Sequence, residues 1–115
     1  MEATNQGLPS LYDQARTAEA SSDLPRTEHL YNQIIAIREQ SEGREAAIRD
    51  KHNLVDILLR QDKHEEAEQM ATEVLTFLEG REEGRETGNF REQERSTRLL
   101  LKRAMLGQGK IVDEM

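Results

Sequence analysis

Two clusters of ionisable residues in this 115-residue chain have side chains of the kind that chemistry uses. In "KHEEAE", residues 63–68, His64 and Glu68 stand four apart, which puts an imidazole and a carboxylate on one helix face, a pair able to hold a metal ion. The second histidine of a His-Glu-x-x-His zinc helix is missing, because position 68 is Glu, and two ligands without a third do not make a site. The segment reads instead as an exposed first turn whose acids favour a helix N-terminus. His29 and Tyr31, with His52 and Asp56, are the other acid–base candidates. No Ser or Cys nucleophile, glycine-rich phosphate loop or aromatic-flanked carboxylate pair accompanies them, and His52 and Asp56, at i and i+4, match a solvated ion pair. The chain is read as a non-enzyme, with no catalytic residue, no cofactor and no metal.

The elements that carry these residues are helices. In "LLRQDKHEEAEQMATEVL", residues 58–75, Ala67, Met70, Ala71, Val74 and Leu75 form one helical stripe while Glu65, Glu66, Glu68, Gln69 and Glu73 point elsewhere. Ser10, with Asp13 three residues on, suggests a capping box opening a first helix over 11–21. Pro25 suits the first turn of a second helix running to about Gln40, with Leu30, Tyr31, Ile34, Ile35 and Ile37 buried, and Gly43 breaks it. A third helix from about Arg44 to Arg60 buries Ala47, Ile48, Leu54, Val55, Leu58 and Leu59. "QDK" turns it into the fourth, which Gly80 ends, and Leu99, Leu100, Leu101, Ala104, Met105 and Leu106 carry a fifth that Gly107 and Gly109 close. The stretch 80–98 holds five arginines and three glycines, with six glutamates once Glu79 is counted, so residues 81–89 read as a polar linker. Residues 80–90 are the interior part expected to be most mobile and to be cut first near Arg81 or Arg85. Residues 1–9 read as a flexible N-terminal segment.

Composition agrees with an all-α domain. Trp and Cys are absent and four aromatics remain, so aliphatic helix faces must build the core. Without cysteine there is no disulfide or thiolate site, and with no apolar leader in the first twenty residues the default compartment is the cytoplasm, with the nucleus as the other possibility. The formal net charge of −7 opposes anionic lipid and phosphate backbone, and no apolar run reaches membrane-span length, so nucleic acid and membrane are set aside as partners.

The turns reveal a repeat. "NLVDILLRQDKHEEAE" aligns without gaps on "LLKRAMLGQGKIVDEM", matching Leu54 to Leu101, Leu58 to Met105, Gln61 to Gln108 and Lys63 to Lys110 at a spacing of 47 residues. Taking Leu11 as a weaker first copy gives 43. Two helices per period of this size indicate a helical solenoid. "NLVDILLRQDKHEEAEQMATEVL" resembles the tetratricopeptide repeat, in the long-period form of kinesin light chains: Asn53-Leu54, the Gln61-Asp62-Lys63 turn and Glu65-Glu66-Ala67-Glu68 stand at that family's positions. Val55, Asp62 and His64 depart from its small residue, turn glycine and aromatic. The helices should cross at Ala67, which must stay small and buried.

The resemblance implies about two and a half units, 10–42, 43–80 and 90–115, in a short right-handed array with a peptide or partner helix laid in its concave groove. The residues it would place there are Asp13 and Arg16 from the first unit, Arg49, His52, Asn53, Asp56 and Arg60 from the second, and Arg103 from the third. Asn53 and Arg49 match part of the family's carboxylate clamp, although the first unit has no lysine–asparagine pair. A protein-binding adaptor or scaffold is thus the leading expectation, with a self-associating structural module as the alternative and a small enzyme or ligand carrier third. The alternative rests on the fifth helix: Leu100, Leu101, Ala104 and Met105 would lack a covering helix, so a homodimer through Leu100, Leu101, Met105, Ile111 and Val112 is expected.

Overall fold

A computed structural model describes residues 7–80 and 88–110, with side chains left out of the description at 88–90. The fold is all-α: five helices in hairpins, with no strand among the described residues. Helix α1 spans Leu8–Ala20, α2 Leu24–Glu42, α3 Ile48–Arg60, α4 His64–Glu79 and α5 Gly88–Gly107, and a 3-10 turn, Arg44–Ala47, leads into α3. None of these is long and apolar enough to cross a membrane.

Helix α1 starts three residues earlier than the capping-box reading allows. Gly7 is its N-cap and Pro9 occupies the first turn, where a missing N–H costs nothing, so Ser10 lies inside the helix. Helix α2 is capped by Asp23, whose carboxylate accepts the Arg26 N–H at 3.3 Å, and it runs two residues past Gln40 before Gly43, at φ +98°, ends it. The linker expected over 81–89 falls largely outside the described residues, and α5 is already helical from Gly88.

The hairpin turns share one geometry. Ser22, Asp62 and Gly109 sit at φ 62°, 61° and 79°, one residue past the helix cap. In each turn the next N–H reaches back five residues, Asp23 to the Ala18 carbonyl, Lys63 to Leu58 and Lys110 to Met105, at 2.8–3.0 Å, which closes the helix in a Schellman motif. Superposing these turns sets the register: 22, 62 and 109 are equivalent, so the units are 40 and 47 residues apart. The spacing of 43 expected from Leu11 is corrected to 40, which pairs Ala15 with Val55 and Ala18 with Leu58. Thr27 becomes the counterpart of Ala67, and both are fully buried.

The main core lies between α3, α4 and α5, where Leu54, Val55, Leu58, Ala67, Ala71, Leu100, Leu101 and Ala104 pack in one cluster. Ala67 has no exposed surface, as its place at the helix crossing requires. Leu100 and Leu101 are only 9% and 8% exposed and Ala104 is fully buried, because α4 and α3 cover that side of α5. The apolar stripe expected to lie open is therefore already closed within one chain.

Candidate functional site

The register exposes a set of links that recur between successive hairpins. Glu28 on α2 accepts hydrogen bonds from Gln61 Nε2 and Lys63 Nζ, both at 2.9 Å. Its counterpart 40 residues on, Glu68 on α4, accepts from Gln108 Nε2 at 2.7 Å and Lys110 Nζ at 2.8 Å. Burial pushes the Glu28 carboxyl up, but the bonds from Lys63 and Gln61 outweigh it and leave the net shift downward. Lys110 and Gln108 hold Glu68 below its ordinary value as well. The Lys51–Glu39 pair at 2.6 Å likewise recurs as Arg98–Glu79 at 2.8 Å. Lys51 is 5% exposed and also meets Glu73, so burial, which alone would lower its pKa, is overcome by the two carboxylates.

A third link joins the first helices of the hairpins. Tyr12 on α1 donates to Asp50 Oδ1 on α3 at 2.6 Å, and Arg38 Nη1 donates to the Tyr12 hydroxyl at 3.1 Å. The equivalent residues, His52 and Thr97, meet at 2.9 Å between α3 and α5. Thr97 is fully buried and donates its hydroxyl hydrogen to the Gln93 carbonyl at 2.7 Å, so the His52 Nδ1 must carry the proton it shares with Thr97. Burial raises the Asp50 pKa against its bonds to Tyr12 and Arg38, and lowers that of His52 against the pull of Asp56.

These contacts tie α1 to α3 through long side chains, while α3 and α5 also pack directly. Arg16, Asp56 and Arg103 occupy one register position on the three helices. Arg60 Nη1 crosses to Glu19 on α1 at 3.0 Å while its Nη2 holds Asp56 at 3.1 Å. Arg49, His52 and Asn53 extend the stripe along α3, with Asn53 half-buried beside the Tyr31 hydroxyl. Of the eight residues expected in a groove, Arg16 lies on α1, Arg49, His52, Asn53, Asp56 and Arg60 on α3, and Arg103 on α5. Asp13 lies on α1, three residues before Arg16. It pairs with the exposed Arg16 and shares the register of Asn53 and the buried Leu100, a position that faces back toward the preceding second helix; on α1 it borders a separate hollow of about 370 Å³ with Ser10, Gln14 and Arg26.

Sequence reasoning missed the buried polar residues Thr27, Asp50, Lys51, Glu94 and Thr97 and the two exposed leucines of α5, Leu99 at 59% and Leu106 at 52%. A signal for Thr27, Asp50 and Thr97 existed in the register, since 27 aligns with Ala67 at the 40-residue spacing and 50 with 97 at the 47-residue spacing. Of the expected dimer residues, Leu100 and Leu101 are core, Met105 is half-buried, and Ile111 and Val112 lie outside the described residues. His64 is not simply an exposed first-turn residue: its ring is half-buried and lies against Gly107 at the end of α5. Among the described residues no group of three metal-ligating side chains converges.

No family model matches the chain, and no curated protein and no solved structure matches it either.

Proposed function

We propose that this chain is a protein–protein interaction module, a short tetratricopeptide-like array that holds a peptide or partner helix against the stripe formed by α1, α3 and α5. The observation that carries the reading is the recurrence of three links in one register, one of which ties the first helices of successive hairpins to each other, so that Arg16, Asp56 and Arg103 stand at equivalent positions. A face assembled from equivalent positions of successive units is the surface that repeat proteins offer to extended ligands. Its charges are mixed, with arginines set among Asp56 and Glu19, which suits specificity toward a polar segment better than enclosure of a small molecule.

The test compares proteins captured from matched lysate by the intact chain and by the Arg49→Glu, Asp56→Lys variant, with circular dichroism melts to establish equal folding. Partners recovered by the first and lost by the second support the face. The same set recovered by both would refute it.

A further inference from the structure

Leu99 and Leu106 are the large apolar side chains most out of place, at 59% and 52% exposed, and the register says what their positions are for. Leu99 is equivalent to Tyr12 and His52, and Leu106 to Glu19 and Leu59. Within the chain, Tyr12 and Glu19 are the residues through which α1 holds α3, by bonds to Asp50 and Arg60, and His52 holds Thr97 of α5. The edge of α5 carrying Leu99 and Leu106 is therefore the edge along which a first helix elsewhere in this fold has another helix beside it. Between them stands Arg103, exposed and without a hydrogen bond or ion pair among the described residues.

We propose that this edge docks an amphipathic acidic helix of a partner protein, with apolar side chains covering Leu99 and Leu106 and a carboxylate between them meeting Arg103. The inference rests on the interaction-module reading and names the chemistry of the partner. Seven residues separate the two leucines, two helical turns, so a helix lying alongside α5 meets both with residues of its own one heptad apart. A carboxylate midway would take the Arg103 guanidinium in the bidentate geometry that arginine favours.

A second copy of this chain fits the edge poorly. Two α5 helices related by a two-fold axis between Leu99 and Leu106 would set Lys102 and Arg103 of one chain against the same residues of the other, like charges at close range. The outer side of α1 offers Ser10, Gln14 and Thr17, all exposed and polar, with nothing to cover a leucine.

The experiment titrates the intact chain against fluorescein-labelled alanine-based helices of about 20 residues. One carries two leucines a heptad apart with glutamates between them, a second has lysines in place of the glutamates, and a third has serines in place of the leucines. Anisotropy should show the first binding at least tenfold tighter than either of the others. Arg103→Glu should reverse the preference between glutamate and lysine peptides, a gain that misfolding cannot produce, and Leu99→Ser with Leu106→Ser should lose at least tenfold. Equal binding of the acidic and basic peptides, or none at millimolar concentration, overturns the proposal. So does sedimentation of the free chain as a dimer that the double serine variant dissolves, which would assign the edge to a second copy. Lysate partners that depend on Arg49 and Asp56 but persist in Leu99→Ser with Leu106→Ser would leave the interaction face standing and remove only this docking edge.

Discussion

Gly107 offers the sharpest test of how α4 and α5 are held. A Cβ built there would lie under 3.0 Å from His64 Cγ, Cδ2 and Nε2, so the whole ring obstructs it and not merely its tip. Ordinary carbon contacts begin near 3.5 Å, so the ring must retreat by about an ångström, and because Cγ is involved it must rotate at χ1 or carry the start of α4 with it. Overpacking of this sort costs about 1–3 kcal/mol. Alanine at the last residue of a helix regains up to about 1 kcal/mol over glycine. Gly107→Ala should therefore destabilise by about 1–2 kcal/mol, and in a His64→Ala background the same change should be neutral or stabilising. Urea denaturation followed by circular dichroism at 222 nm, with unchanged m-values across the four proteins, reads the coupling directly. An equal loss in both backgrounds, or a gain in the presence of His64, would show that the ring does not occupy that space.

Three further outcomes follow from the packing and the charges. Ala67→Leu, at a fully buried crossing, should cost about 1–3 kcal/mol in the same denaturation assay, and an unchanged midpoint would remove Ala67 from the crossing. Burial lowers the His52 pKa below 6.5, so the fold favours the neutral ring; that contribution is whole above pH 6.5 and is lost as pH falls through the folded value, and His52→Asn should flatten the decline in stability between pH 7 and 5. Glu68 is depressed by Lys110 and Gln108, so its contribution is present above its ordinary value of 4.5 and disappears as pH falls below that; Glu68→Gln should flatten the acid limb there, and an identical limb would show that the clamp is not formed in solution.

What sequence could and could not deliver follows from how far each signal travels along the chain. The hairpins were readable because Leu54, Leu58, Ala67, Ala71 and Leu75 repeat at helical spacing within one or two turns. The 47-residue register was readable because two turns keep Gln and Lys on either side of the left-handed residue. The first register was misplaced because Ser21, Ser22 and Asp23 stand there, and Asp23 serves instead as the N-cap of α2. The Tyr12–Arg38–Asp50 network was invisible because its members lie 12 to 38 residues apart and each looks like an ordinary exposed polar residue on an amphipathic helix. The burial of Leu100 and Leu101 was missed for a related reason: a stripe read without its neighbour cannot show which of two faces the previous hairpin takes, and α4 takes the one carrying these leucines.

The left-handed residues of the three turns bear on how such a chain diverges. A non-glycine residue in that conformation is strained by about 1 kcal/mol, yet glycine carries nearly the same penalty through the extra freedom it gives the unfolded chain. Replacing Asp62 or Ser22 by glycine, or Gly109 by asparagine, is then close to neutral, and nothing in the turn's own energetics preserves its residue type. Shape is kept by main-chain bonds such as Lys63 N–H to the Leu58 carbonyl, which any amino acid but proline can make. Mutation can erase the written sign of a turn of this kind while its geometry is handed on unaltered.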